Sequence, residues 1–176
     1  LDLIKQNKEF NFGFEKMHNS GSLPNPWFEW GSRDYVFRID SVEKHSGKYS
    51  MMLEPTEDIK KNSFGCVAYG IPADYIGKEI EVSAYIKMEN VTEPIGLMLR
   101  IDGKKAKESL GFDNMEQRGI KGTKDWTVYS VKLPLKKEAT TIYIGAILSG
   151  TGKLWVDDFQ VLIDGNDISE AKFKER

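Results

Sequence analysis

The stretch 78–88 alternates polar and apolar residues without a break, and this alternation constrains the fold more than any other feature of the chain. One face carries only apolar side chains, namely Ile80, Val82, Ala84, Ile86 and Met88. The opposite face carries Glu79, Glu81, Ser83, Tyr85 and Lys87. A helix would scatter the apolar residues around its axis, so the pattern predicts a half-buried β-strand.

Short segments of the same kind follow one another along the chain, separated by turns rich in glycine and proline. The predicted strands are 35–40, 49–54, 63–71, 78–88, 95–102, 109–115, 127–135, 141–148 and 153–163. Residues 16–34 are predicted to form a loop. No segment shows helical periodicity over three turns. The sequence therefore predicts an all-β fold, an antiparallel jelly-roll β-sandwich of two facing sheets with about nine to ten strands.

Length and composition indicate one domain without a strongly charged partner. The chain has 176 residues, 25 basic and 27 acidic side chains and a net charge of -2. The sequence has no basic block of the kind that would indicate nucleic acid or an anionic membrane as a partner. No apolar run approaches the roughly 20 residues of a membrane span. We assign 1–165 to the jelly roll and 166–176 to a polar tail or linker to a downstream module. The start at Leu1, with neither Met nor signal peptide, suggests a trimmed or mature fragment.

Two residue types are informative about chemistry. Cys66 is the single cysteine, which excludes an internal disulfide, and its apolar setting predicts a buried strand residue. Asp157 and Asp158 interrupt the apolar last strand, so one of them should point towards the core. A buried carboxylate needs a hydrogen-bond donor, an opposite charge or a cation.

Several motifs together resemble the galactose-binding-like jelly rolls, a superfamily that includes many carbohydrate-binding modules. These motifs are Asn11-Phe-Gly-Phe-Glu15, Trp27, His45-Ser-Gly-Lys-Tyr-Ser50 and Gly152-Lys-Leu-Trp-Val-Asp-Asp-Phe159. The second half, including 85–91, 112–115 and 118–126, is similar to accessory domains of secreted Bacteroidetes-type hydrolases. Such domains precede tail-specific serine protease or erythromycin-esterase-like modules. The resemblance implies a secreted or periplasmic, multidomain parent protein, with a downstream catalytic module in the same chain as a partner.

The resemblance also implies a structural calcium ion. Related jelly rolls hold calcium between a Glu after the first strand, carbonyls of an early turn and an Asp of the last strand. The matching positions are Glu15, the backbone near Gly47 and Lys48, and Asp157, with Asp158 as the alternative ligand if a bulge shifts the register. The alternative is that Lys48 or a backbone N–H meets Asp157 and no metal binds.

A second set of residues predicts a face for a carbohydrate or another small polar ligand. It comprises Trp27, Trp30, Arg100, Asp113, Asn114 and Arg118. Aromatic rings stack on the apolar faces of sugars, and planar polar groups bind hydroxyls. The aromatic cluster around Trp27 could instead plug the core, and Arg100 could form an ion pair with Asp113. Trp126 and Trp155 are predicted to pack in the core.

The sequence gives little sign of catalysis. His18 and His45 lie in loops without a nucleophile motif, and phosphate-loop and metalloprotease motifs are absent. We therefore expect a non-catalytic accessory domain that binds a carbohydrate. The alternatives are a purely structural domain that orients a catalytic neighbour and, more weakly, a glycosidase-type hydrolase. A binding module should expose an aromatic residue beside convergent polar groups.

Overall fold

The computed structural model describes residues 10–16, 23–105 and 107–175. The described part of the chain is built from antiparallel strands and two short 3-10 helices, Glu116–Arg118 and Ile168–Glu170. The strands are β1 (Phe28–Gly31), β2 (Tyr35–Asp40), β3 (Ser50–Pro55), β4 (Phe64–Pro72), β5 (Glu79–Val91), β6 (Gly96–Asp102), β7 (Ser109–Asp113), β8 (Gly122–Pro134), β9 (Thr141–Ser149), β10 (Lys153–Ile163) and β11 (Asn166–Asp167). No helix within the described ranges is long and apolar enough to cross a membrane.

The strands form two sheets that face each other. The five-stranded sheet has the order β1-β4-β9-β6-β7, and the six-stranded sheet has the order β2-β3-β10-β5-β8, with β11 paired to β10. The predicted all-β sandwich of two antiparallel sheets is confirmed. Between the sheets lies one apolar core, to which β5 contributes the five alternating residues that the sequence singles out.

The central strands of the five-stranded sheet carry apolar residues on both faces. Val67 and Tyr69 of β4 point into the core, whereas Cys66 and Ala68 belong to a second, smaller cluster with Met98. Because side chains alternate across a strand, this second cluster lies on the outer face of the sheet. The outer face is therefore apolar at its centre, whereas a sheet face that is exposed only to solvent is usually polar.

Two boundaries differ from the sequence-based expectation. The predicted loop 16–34 contains strand β1, which pairs with β4 from Phe28↔Ala68 to Gly31↔Gly65. The predicted polar tail packs onto the sandwich: Ile168 is buried in the core, and Tyr75 forms a bridge with Phe173. The folded domain therefore extends to residue 175, because the tail supplies core side chains that its polar composition hides.

Candidate ligand groove and terminal clasp

A groove of about 800 Å³ lies on the outer face of the five-stranded sheet. Its floor includes Cys66, Met98 and Ile147, and its sides include Trp30 and Phe112. The rims are formed by the segments 59–64, 92–96 and 149–151 together with Asn114 and Glu116. The volume falls within the range of roughly 300 to 1,000 Å³ that is usual for ligand sites.

The cross-strand register explains the hollow in the sheet. Trp30, Cys66, Ile147 and Gly96 form one row across β1, β4, β9 and β6. The next row contains Ala68, Gly145 and Met98. In the first row the small side chain of Cys66 lies beside the large ring of Trp30 at the sheet edge, which leaves space above the floor. The groove is thus a direct consequence of side-chain size at outward positions.

Aromatic residues line the two sides of this face. Trp30 is 36% exposed and Phe112 is 52% exposed, which are large fractions for such side chains. The Trp30 ring lies 5.7 Å from that of Phe28 and 5.1 Å from that of Tyr143, in tilted and edge-on arrangements. These contacts fix the orientation of Trp30 while leaving part of its surface open to a ligand.

Hydrogen bonds brace the rims of the groove. The hydroxyl of buried Tyr35 lies 3.0 Å from the Ser63 carbonyl and 2.7 Å from the Gly150 carbonyl, so it connects two rim segments. Asp34 accepts a hydrogen bond from the Ser63 hydroxyl at 2.6 Å and another from the Lys60 N–H. These two bonds hold the pKa of Asp34 below its usual value. A rim held in this way is preorganised for a ligand.

The Cys66 thiol on the floor of the groove is unreactive. Cys66 is buried, and burial raises its pKa to about 12. Its sulfur lies 3.9 Å from the Met98 sulfur. A thiol that keeps its proton at neutral pH is a poor nucleophile, so Cys66 contributes to the groove as a small apolar side chain.

The structure brings three of the six predicted ligand residues into this groove: Trp30, Arg100 and Asn114. Arg100 is on the floor strand β6, and its guanidinium lies 5.6 Å from the Trp30 ring. Asn114 lines the groove, although its side-chain oxygen accepts a hydrogen bond from the Glu116 N–H at 3.1 Å. The exposed aromatic residue beside polar groups is the arrangement expected of a binding module.

The other three predicted ligand residues lie elsewhere. Trp27 is 4% exposed and packs among the rings of Phe14, Tyr69 and Phe159, so it plugs the core, and its ring N–H donates to the Asn11 carbonyl. This corrects the prediction of a ligand platform at Trp27.

Asp113 and Arg118 serve local structure. Asp113 accepts a hydrogen bond from the Met115 N–H at 2.8 Å, and its cross-strand partner is the core residue Leu99. Arg118 donates to the Ser130 carbonyl at 2.9 Å, beside the other sheet. Arg100 forms its ion pair with Asp102 and not with Asp113.

Phe112 is the main groove residue that sequence reasoning missed. It lies directly opposite Arg100 across β6 and β7. The alternation of β7 could have placed it on the same face as the outward residues of β6. The apolar residues on both faces of β9 were a second signal, because they indicated an apolar floor outside the core.

The four predicted metal-site residues do lie close together, at the turn 45–49. Glu15 accepts hydrogen bonds from the N–H groups of Lys48 and Tyr49. Asp157 accepts from the N–H groups of His45 and Ser46 at 3.0 and 3.2 Å, and from its neighbour Asp158 at 2.7 Å. We call this arrangement the terminal clasp, because it ties residues 11–15 and β10 to one turn. The Phe159 N–H strengthens it by donating to the Phe12 carbonyl.

Asp157 is fully buried, but not in the interior of the sandwich. Its cross-strand partner is Tyr85, and the neighbouring core residue Val156 is opposite Ile86. The carboxylate therefore lies on the outward side of β10, covered by the turn, which corrects the expectation of a core-facing side chain. A bulge follows it, with Asp158 at φ 51. Burial raises the pKa of Asp157 to about 6, although the backbone donors oppose this rise.

Asp158 bonds to the same turn through side chains. Its carboxylate lies 2.6 Å from the His45 ring nitrogen and 2.6 Å from the Ser46 hydroxyl. The serine bonds to the aspartate and not to the histidine, which is not the relay of a hydrolytic triad. His45 stacks on Tyr85 with 3.6 Å between ring centres. His18 lies outside the described residues.

These carboxylates do not present a ready calcium site. N–H groups point at Glu15 and Asp157, and a donor proton occupies the position that a cation would take. Within the described ranges, no group of three or more His, Cys, Asp or Glu side chains is arranged to hold a metal ion. The described residues thus do not fit calcium in this arrangement, and calcium binding stays a prediction from the resemblance.

Two tryptophans differ from the expectation of core packing. Trp155 is buried on the outer face of the six-stranded sheet, where its ring N–H donates to Asp40 at 3.0 Å and Lys87 lies over the ring. Trp126 is half-buried against His45. Neither ring lies between the sheets, because each occupies an outward or irregular position of its strand.

Comparisons with known proteins give a fold and one relative. No family model matches the chain. A Bacillus subtilis (strain 168) protein described as an uncharacterized HTH-type transcriptional regulator, YbfP, is 34% identical over 134 residues, which cover 74% of this chain. The chain spans 45% of the length of that relative.

Solved structures of carbohydrate-binding modules resemble the whole sandwich. The TmCBM61 module in complex with beta-1,4-galactotriose has a TM-score of 0.58 and 15% identity, covering 88% of this chain and 97% of the module. The CBM22-1 xylan-binding domain of Paenibacillus barcinonensis Xyn10C has a TM-score of 0.54 and 12% identity, covering 86% and 91%. At these identities the similarity establishes the fold, a β-sandwich of the carbohydrate-binding-module type.

Proposed function

We propose that this domain binds a carbohydrate, without catalysing its cleavage, in the groove of the five-stranded sheet. The observation that carries the proposal is the exposed ring of Trp30 beside the guanidinium of Arg100, in a braced hollow of about 800 Å³. Sugars have apolar ring faces and many hydroxyls, and such a surface complements both. The fold is similar to that of a module solved in complex with galactotriose and to that of a xylan-binding domain, which supports the same conclusion.

The test is binding of the intact domain to a glycan array, followed by calorimetry with each glycan that binds. Trp30→Ala should abolish the signal, because it removes the exposed aromatic face. Trp126→Ala is the matched control, since this half-buried tryptophan contacts His45 and does not line the groove. Absence of binding to every glycan would reject the proposal and favour a purely structural domain that orients a catalytic neighbour.

The Bacillus relative favours a second role for the same groove. A domain similar to part of a transcriptional regulator, and spanning 45% of its length, could act as its ligand-sensing part. In that case, the glycan that binds the groove should change the affinity of the full-length protein for its own promoter DNA. A full-length protein that binds no DNA would exclude this role while leaving carbohydrate binding intact.

The wider setting inferred from the resemblance remains a proposal. It places the domain in a secreted or periplasmic hydrolase, before a tail-specific protease or esterase-like module. Fractionation of cells that express the full-length protein, followed by mass spectrometry, tests the location. Recovery only from the cytoplasm would favour the regulator setting.

A further inference from the structure

Arg100 and Asp102 form a pair on the outer face of β6. They are two residues apart in one strand, so their side chains share a face. The Arg100 Nε donates to the Asp102 carboxylate at 2.7 Å. Asp102 is itself anchored, because its carbonyl accepts hydrogen bonds from the N–H and the hydroxyl of Thr140. Arg100 lines the groove, whereas Asp102 lies just outside its lining.

The guanidinium is thus held by two contacts. Asp102 binds its Nε edge, and the guanidinium carbon lies over the Trp30 ring, 5.6 Å from the ring centre. The two Nη groups make no hydrogen bond to any other residue in the described ranges, so they are free to donate to a ligand. An arginine fixed before binding loses less side-chain entropy when the ligand arrives.

The charges around the groove balance. Among the described lining residues, Lys60 and Lys61 on the rims are matched by Glu93 and Glu116. The remaining charge is that of Arg100, which the Asp102 carboxylate compensates. The groove therefore offers hydrogen-bond donors without a net positive charge, and a ligand carboxylate near the Nη groups would also face Asp102.

We propose that Asp102 is a positioning and specificity-determining residue, which orients Arg100 and cancels its charge so that the groove prefers neutral glycans over uronic-acid glycans. The inference rests on carbohydrate binding by the groove and names the class of sugar. In this arrangement the Nη groups donate to hydroxyl or ring oxygens, which need a donor but no countercharge.

The experiment compares wild type and Asp102→Asn on an array that holds neutral and uronic-acid glycans. Calorimetry at low salt then uses matched pairs: galactotriose with trigalacturonate, and xylotriose with glucuronosyl-xylotriose. Wild type should bind the neutral member more tightly. Asp102→Asn should weaken neutral binding and shift the neutral-to-acidic affinity ratio towards the acidic member by about threefold to tenfold, because the arginine charge is no longer cancelled.

The shift in ratio separates positioning from a structural effect, since loss of folded protein would lower both affinities together. Glu54→Gln is the matched control: Glu54 has the same side-chain exposure as Asp102, 23%, but pairs with Arg38 and Lys153 on the other sheet. A wild type that prefers the acidic members, or an unchanged ratio in Asp102→Asn, overturns the inference and leaves carbohydrate binding standing. Failure to bind any glycan on the array overturns the proposed function and the inference with it.

Discussion

Replacing Asp157 by Asn should change how the stability of the domain depends on pH. Asp157 is fully buried under the turn 45–49, and its pKa rises from 3.8 to about 6 in the folded state. One pKa unit corresponds to about 1.4 kcal/mol, so the ionised carboxylate costs the folded state about 3 kcal/mol relative to its protonated form. Asn has the same shape but cannot ionise.

The sign follows from proton linkage. The folded state binds the proton more tightly than the unfolded state, so this group contributes stability that is complete below pH 3.8 and lost as the pH rises through 6. Between pH 4 and pH 7 the wild type should therefore lose roughly 2 kcal/mol of unfolding free energy that the Asn variant keeps. Asn keeps only one of the two acceptor oxygens that bond to the N–H groups of Asp158, His45 and Ser46, but the cost of the lost bonds in the variant is the same at both pH values and cancels in the comparison.

The assay is urea unfolding of both proteins at pH 4 and pH 7, in EGTA and again with calcium. The free-energy difference between wild type and variant should move towards the variant by roughly 2 kcal/mol from pH 4 to pH 7. A difference that stays constant refutes the claim that the carboxylate is desolvated. A difference that moves in the opposite direction only when calcium is present would show that a cation binds Asp157. Asp34→Asn is the control, because the pKa of Asp34 is shifted in the opposite direction. Its lowered pKa gives stability that is present above pH 3.8 and lost as the pH falls.

Three further predictions concern folding. Trp27→Ala should cost about 3 to 5 kcal/mol in urea unfolding, because the ring is buried among three aromatic neighbours; a loss below about 1 kcal/mol would contradict its place in the core. Tyr35→Phe should cost about 1 to 2 kcal/mol and weaken glycan binding, since the hydroxyl bonds two rim segments; unchanged stability would show that water replaces those bonds. Gly47→Ala should lower the melting temperature more than Gly119→Ala. Both glycines have φ near 65, but only at Gly47 does an added Cβ meet the Glu15 carboxylate. Equal losses would show that Glu15 moves aside without a measurable cost.

The fold could be predicted because alternation is a local property, readable within ten residues. The same reasoning failed at β1, where all four residues are exposed and the strand exists through backbone pairing with β4. The prolines and glycines of residues 16–34 predict irregular backbone before the strand, but they do not show that Phe28–Gly31 pairs at the edge of a sheet. Pairing with a distant strand leaves no local pattern in so short a segment.

The site was predicted in part for a similar reason. Trp27 and Trp30 are three residues apart in one aromatic stretch, and composition does not tell which ring faces inward. The structure shows that Trp27 precedes the strand and enters the core, whereas Trp30 is on the outer face. The sequence-based expectation pairs Arg100 with Asp113 across the sheet, although residues two apart on one strand share a face and Asp102 satisfies that rule.

In the strands beneath the groove, side chains at alternate positions have two separate roles, because one set faces the core and the other faces the groove. Val67 and Tyr69 of β4 pack in the core between the sheets, whereas Cys66 and Ala68 face outward and Cys66 lines the groove. Outward positions of β4, β6 and β9 other than Gly96 and Gly145 can therefore vary without disturbing the interior, provided that the register is kept. At those two glycines an added Cβ would meet Met115 and the Val67 carbonyl, respectively. A library restricted to those positions should yield many folded proteins with different ligand preferences, whereas inserting a single residue into β9 would exchange the two sets. The domain is for this reason a good scaffold for engineered recognition.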